Sequence, residues 1–267
     1  MKRSSILITL LIFLPSFLIA ANGGSLKGAR SAALGESGIA LNGFWSAINN
    51  QAGLACLDKI HIGLSTENRF LIKELSTYSL AFNIPTNNAG FGFNFTRFGS
   101  IHYKETTMGI GYGMKLGSSF YIGIQLNYFG LKQGNGYGSI SSFYFEGGFQ
   151  YKINPKLKML AHIFNPAIYT NKTLELAEIY QMGFSYQAHN QVLLLMSYKY
   201  HSVWQFSVHT GIEFKFKSIS ARLGYGSKPQ KFTFGLGYCY KRIQIDISSS
   251  IHSMLGNSPQ ISLIYGF

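Results

Sequence analysis

The chain has 267 residues, of which only 12% are charged and 15% are aromatic, with 30 Gly, 6 Pro and a formal net charge of +13. A soluble domain carries about 25% charged residues, so much of this surface does not face water. Beyond the N-terminus no apolar run approaches the roughly 20 residues of a spanning helix. Together these speak against a water-soluble enzyme and a helical membrane protein, and point to a barrel whose strands alternate apolar and polar residues. No basic cluster stands out of the kind that reads nucleic acid.

The first 21 residues read as a signal peptide. Lys2 and Arg3 form a basic start, Ile6 to Ile19 an apolar core broken by Pro15, and Ala20 and Ala21 supply small residues for cleavage. The core is short for a membrane anchor, and no Cys lies near the cleavage point, so lipoprotein processing is not expected. Export through a cleaved signal peptide implies a bacterial outer membrane. Without Lys2 and Arg3 the formal charge is +11. The surplus suits cationic rims facing lipopolysaccharide and phosphate head groups, with an anion-attracting lumen as the alternative.

Residues 22–55 differ from the rest of the chain: they are rich in Gly and Ala and lack strand alternation. Such density of small residues suits a segment packed closely against other backbone, and we expect a plug, or hatch, inside a barrel. Trp45, Ile48 and Leu54 speak against a disordered tail, in which such residues are rare.

From residue 56 to the end the sequence predicts an all-β, transmembrane antiparallel barrel of about fourteen strands. They fall near 57–66, 72–84, 89–98, 101–115, 119–132, 140–153, 157–164, 176–187, 191–200, 203–216, 218–226, 230–240, 242–251 and 259–267. Most are close to the 9–11 residues of a tilted membrane strand. In Phe120 to Tyr128 the even positions are lipid-like and the odd ones small or polar. Around Ile243, Ile245 and Ile247 the intervening Gln244, Asp246 and Ser248 face the other way. Trp204, Phe206, Val208, Ile212, Phe214 and Phe216 are expected to face out. Tyr128, Tyr151, Tyr200, Tyr225 and Tyr238 would build interfacial girdles. A two-sheet sandwich also alternates, but polar faces of Gly and Ser in place of Lys and Glu suit a filled lumen better. Turns at Pro85–Asn88, Leu116–Ser118 and Asn154–Lys156 are compact and assigned to the periplasmic side. The longest opposite loop is about 165–175. The last strand, Ile261 to Phe267, alternates to a terminal aromatic and is expected to pair with the first.

Within the hatch, Gly28-x-Arg30, Ala33-Leu34-Gly35, Gly38-Ile39-Ala40, Trp45-Ser46 and Asn49-Asn50-Gln51-Ala52-Gly53-Leu54 resemble the N-terminal signature of FadL/PorV-like outer-membrane barrels, with the PorV/PorQ-type proteins of Bacteroidetes the nearest version. Gln51 stands where that family commonly has Pro. The resemblance implies a non-enzymatic protein of one of two kinds. FadL-type members pass hydrophobic molecules across the outer membrane beside a mobile hatch. PorV and PorQ belong to the type IX secretion apparatus and bind cargo or partner proteins. A purely structural membrane protein is a third reading.

Catalytic motifs are lacking: there is no Gly-x-Ser-x-Gly and no His-Glu-x-x-His, and the seven His are scattered. No metal spacing and no cofactor motif is present. Cys56 and Cys239 are both expected near periplasmic strand ends, on strands that are not neighbours. Inward charges are expected at Glu146, Lys158, Lys199, Glu213, Lys215, Arg222 and Asp246, and such groups need water or partners. From the hatch come Arg30, Glu36, Trp45 and Asn50. Arg30 is expected either to pair with Glu146 or Asp246 and pin the hatch, or to point into periplasmic water. Tyr103, Tyr144, Leu160, Leu193 and Leu195 are candidates for an apolar cavity. Ala167, Ile168 and Tyr169 are candidates for an exposed docking patch. Outer-membrane lipid and lipopolysaccharide are the expected surroundings, with a hydrophobic small molecule or secretion-system proteins as partners.

Overall fold

A computed structural model of the chain describes residues 26–134, 138–165, 176–202 and 205–267. The expected signal peptide, the first residues of the expected hatch, Trp204 and the Ala167, Ile168 and Tyr169 patch lie outside the described residues. The remainder builds one closed antiparallel barrel of fourteen strands in sequence order. They are β1 (His61–Asn68), β2 (Ser76–Pro85), β3 (Ala89–Gly99), β4 (Tyr103–Leu116), β5 (Phe120–Gln133), β6 (Ser139–Lys152), β7 (Leu157–Phe164), β8 (Ile179–His189), β9 (Val192–His201), β10 (Gln205–Phe216), β11 (Ile219–Ser227), β12 (Gln230–Tyr240), β13 (Ile243–His252) and β14 (Gly256–Gly266). Every strand pairs with its neighbours in sequence, and β14 closes the ring on β1 with Leu64 opposite Leu263. Closure leaves no edge whose N–H and C=O groups would be stranded in hydrocarbon.

The burial pattern is inverted relative to a water-soluble protein. Along β5, Ile122, Ile124 and Leu126 are exposed, while Gln125 and Asn127 are buried. Along β13, Ile245 and Ile247 are exposed and Asp246 is fully buried. The period of two places each polar residue on the inner face and each large apolar one outside. An apolar exterior of this extent is stable only against lipid, since each Å² left in water would cost about 25 cal/mol. Aromatic pairs sit toward both ends of the wall. Tyr200 packs on Phe206 at 5.0 Å, and Phe120 stacks on Tyr151 at 4.5 Å.

The starts of β1 and β2 fall four residues later than expected. β1 begins at His61, because Gln51–Cys56 is a 3₁₀ turn and the chain then has to cross to the wall. β2 begins at Ser76, because Arg69–Leu71 and Lys73–Leu75 form 3₁₀ turns on the loop before it. β14 runs back to Gly256 through Pro259. Cys56 and Cys239 are both free thiols.

Residues 26–56 form two short helices, α1 (Ala29–Ala33) and α2 (Ser46–Asn49), joined by turns. α1 contacts β11 to β14, the Gly38–Ala40 turn contacts β7 to β9, α2 contacts β2 and β3, and the Gln51–Cys56 turn contacts β2 to β6. Only an object inside a closed ring touches strands on all its sides. Inward glycines make room for it. A Cβ at Gly224 would lie 2.1 Å from the Gly35 nitrogen, and one at Gly123 would lie 2.3 Å from the Gln51 carbonyl carbon. Gly35 itself takes φ +69°, a left-handed turn that side chains disfavour.

Candidate lumenal site

Two polar clusters hold residues 26–56 to the inner wall. In the first, Arg30 forks onto Glu213, with Nε 2.8 Å from Oε2 and Nη2 2.6 Å from Oε1. Glu213 also accepts from Arg222 Nε at 2.6 Å. Arg222 then reaches Asp246 at 2.7 Å, and Asp246 accepts from Gln244 at 2.7 Å. Two guanidinium groups thus face two carboxylates and the chain of charges is balanced. The bidentate fork fixes geometry as well as charge. The expectation that Arg30 meets Glu146 or Asp246 is corrected: its partner is Glu213, and Asp246 is joined to it only through Arg222. The period of two placed all three carboxylates inside, but not how far round the ring each one lies.

Beside this network Glu36 pairs with Lys231. Burial pushes the Glu36 carboxyl up, but the Lys231 and Lys199 ammonium groups pull it down further and leave it below the usual carboxylate range. The backbone turn that carries Glu36 is held by side chains of the wall. Thr233 Oγ1 accepts from Gly35 N at 2.9 Å and donates to Ala33 O at 2.8 Å. His209 Nδ1 donates to Gly35 O at 2.6 Å.

The second cluster is a ladder of amides across β3, β5 and β6. Asn94 donates to Gln125 at 3.0 Å, Gln125 to Asn127 at 2.8 Å, and Asn127 to Glu146 at 3.0 Å. Asn94 also donates to Ala47 O on α2 at 3.0 Å. Glu146 takes Gln51 Nε2 at 3.0 Å and His162 Nε2 at 3.1 Å. Asn50 reaches the wall backbone at Ala161 O, 3.3 Å away, and accepts from Ala52 N at 3.2 Å. Asn49 clamps Lys27, accepting from its N at 2.7 Å and donating to its O at 2.9 Å. Burial pushes the Lys27 ammonium down to about 8. Trp45 packs edge-on to Phe44 at 5.0 Å, in a cluster with Ala47, Leu54, Ala81 and Ile264.

The residues expected to line one apolar cavity divide between two places. Leu160 and Leu195 pack under Leu34 and Ala40 with Leu193 beside them, sealing the segment to the wall. Tyr144 joins Phe129, Phe164 and Ile179 in a cluster toward the end opposite the termini. Tyr103 donates to Glu105 at 2.6 Å. Between that cluster and residues 26–56 lies a cavity of about 50 Å³ lined by Lys27, Asn49, Phe98, Glu105, Tyr144, Glu146, Phe164 and Gln181. Sequence reasoning missed Asn94, Gln125, Asn127 and Gln51. Their signal was amides recurring at inward phase on nearby strands. Among the described residues, no three His, Cys, Asp or Glu side chains come together as a metal site.

The structure is thus a closed fourteen-stranded barrel with an apolar exterior and a polar lumen around residues 26–56. No family model and no curated protein matches the sequence. Solved structures do share the fold. The toluene transporter TbuX of Ralstonia pickettii superposes with a TM-score of 0.65 at 13% identity, over 91% of this chain and 98% of that one. The toluene transporter TodX of P. putida gives 0.66 at 12%, over 91% and 99%. A FadL homologue of Pseudomonas aeruginosa gives 0.63 at 12%, over 92% and 100%.

Proposed function

We propose that this protein is a non-enzymatic outer-membrane channel for small hydrophobic or amphipathic molecules, with residues 26–56 as a displaceable plug. The observation that carries the reading is the stacking order along the lumen. An apolar cluster of Phe129, Tyr144, Phe164 and Ile179 sits on the inner face, directly beyond a segment anchored largely by ion pairs and amide hydrogen bonds. A water-filled pore has no use for a greasy inner cluster; a route for apolar solutes does. The cavity of about 50 Å³ is well below the ~150 Å³ that holds a benzene ring, which supports a plug that shifts to let a solute pass. The shared fold with transporters of toluene supports the same reading. A PorV/PorQ-like docking role is the alternative, and stoichiometric recovery of secretion subunits with tagged protein from native membranes would favour it.

The test is a tether. A Cβ at Gly183 would lie 3.1 Å from the Ala40 Cβ, close to the ~3.8 Å between bridged Cβ atoms. In a Cys56→Ser, Cys239→Ser background, Ala40→Cys with Gly183→Cys should form a disulfide that holds the plug to β8. Toluene entry into proteoliposomes should stop on oxidation and return on reduction. Entry at full rate through the oxidised protein would refute the displaceable plug. No entry through any form, including the parent, would refute passage.

A further inference from the structure

At the end of the barrel that carries His61 and Gly266, two neighbouring turns concentrate positive charge. We infer that the β10–β11 and β12–β13 turns form a site for the phosphate head group of an anionic phospholipid. Such a site is independent of solute passage.

The two turns touch: Ile219 pairs with Tyr238, and Cys239 N donates to Ser218 O at 2.8 Å. They hold Lys217, Lys241 and Arg242, all exposed. Residues 214–219 and 238–243 contain no Asp or Glu. Among the described residues, none of the three cations takes part in an ion pair. The backbone shows that the lysines are not placed there for the turn. Lys217 has φ 51° and Lys241 has φ 52°, each as the first residue after its strand. A Cβ disfavours this left-handed region, and Gly or Asn is the usual occupant. The β4–β5 turn at the same end meets the same demand with Gly117, at φ 67°. Two adjacent turns that set Lys where Gly fits better carry a local cost, and strain of this kind points to a function.

The direction of the lysines selects the partner. Lys217 Nζ lies 5.4 Å from the centre of the Phe216 ring, and Lys241 Nζ lies 5.2 Å from that of Tyr240. Both rings belong to the lipid-facing set, at 53% and 54% exposure. Lys152, at the same end, instead lies 4.6 Å from the centre of Tyr121, a buried inward ring. Ring faces attract ammonium groups, so Lys217 and Lys241 are held on the membrane side of the rim. Aromatic rings at strand ends mark the depth of the head groups, and basic residues at that depth attract anionic lipid. Tyr238 stacks beside Tyr240 at 6.5 Å and continues the aromatic face along which acyl chains would lie. The two turns are two strand spacings apart, about 10 Å, so long side chains from both can reach one head group. Arg242 adds a fork suited to phosphate. An acidic protein or a free anion would meet these cations from the water, and gains nothing from ammonium groups turned toward lipid.

The test is a lipid titration of the full-length protein in detergent, read by native mass spectrometry. Phosphatidylglycerol and phosphatidylcholine with the same chains are compared. The first phosphatidylglycerol should bind roughly tenfold more tightly than phosphatidylcholine. Lys217→Gly with Lys241→Gly removes both charges and relieves the left-handed backbone, so the fold is kept, and most of that difference should vanish. Lys156→Gln, at another exposed turn of the same end, should leave the preference intact. Equal affinity for the two lipids, a preference that survives the double variant, or an equal loss in Lys156→Gln overturns the inference. Glycerol phosphate in millimolar excess should not displace the lipid, and displacement would assign the turns to a soluble phosphate instead. A benzophenone side chain in place of Ser218, which is exposed, should label phospholipid in native outer membranes. Labelling of a protein in its place would also overturn the lipid site.

Discussion

At the scale of single residues, Glu213 is the junction on which the anchorage of the proposed plug, residues 26–56, turns. It accepts from both Arg30 and Arg222, and Arg222 is 4% exposed. Removing one partner of a buried ion pair leaves the other charge uncompensated, at roughly 3–5 kcal/mol, whereas loss of a partly exposed partner costs less. Glu213→Gln should therefore loosen the plug more than Arg30→Met, which leaves Glu213 paired with Arg222. Hydrogen exchange of residues 26–56 against that of the strands would show it; the reverse order would mean that Arg30 alone carries the anchorage. Lys27 gives a pH signature. Its ammonium is lowered to about 8 in the docked plug, against about 10.4 in water. Between those values the released plug binds more protons than the docked one, so docking strengthens as pH rises through that window. Lys27→Met should abolish this slope in the same exchange experiment, and an unchanged slope would assign it to another group. Glu36 has the same sense in an acid window. Its carboxyl lies below the usual range when docked, so its contribution is present at neutral pH and is lost only in strong acid.

At the scale of elements, the strands were legible because a lipid-facing wall imposes the period of two on every one of them, without the exceptions that a soluble core allows. That is why Gln244, Asp246 and Ser248 could be assigned inward from sequence alone, and why β7 and β12 fall on their predicted bounds. The pairing of Arg30 was less legible. Alternation gives the face of a residue, whereas the choice among Glu146, Glu213 and Asp246 depends on angular position round the ring, which only the plug's path decides. The signal for that path was present as glycine at inward positions. At Gly224 the obstacles to a Cβ are the Gly35 nitrogen at 2.1 Å and the Leu34 carbonyl carbon at 2.4 Å, backbone atoms that cannot rotate aside. At Gly147 nothing lies within 4 Å. Gly224→Ala should thus fold as a barrel with a plug open to proteolysis, while Gly147→Ala should match the parent. Equal protease resistance would mean that the plug rests elsewhere.

At the scale of the whole molecule, the positive charge is distributed in a way that composition does not reveal. In the lumen, Arg30 and Arg222 are met by Glu213 and Asp246, and Lys231 by Glu36. The surplus sits at the end that carries His61 and Gly266. There the turns and strand ends hold Lys59, Lys115, Lys152, Lys156, Lys158, Lys215, Lys217, Lys241 and Arg242, with Asp58 as the acidic residue among them. A low-dielectric ring lined by one sign of charge focuses the field at its mouth and concentrates counter-ions there. The closed barrel completes its hydrogen-bond ladders without the plug, so a chain lacking residues 26–56 should still insert and conduct in planar bilayers. Its current should favour chloride over potassium and rectify, because the charged mouth lies at one end only. Raising the salt should weaken both effects, since the Debye length falls from about 10 Å at 0.1 M to about 3 Å at 1 M. Lys156→Glu, Lys217→Glu and Lys241→Glu, all in turns and exposed, should together diminish or invert the preference with no change in pore size. Cation preference in the unmodified open pore would instead place control of permeation at the opposite end, beside the carboxylates of Glu105 and Glu146.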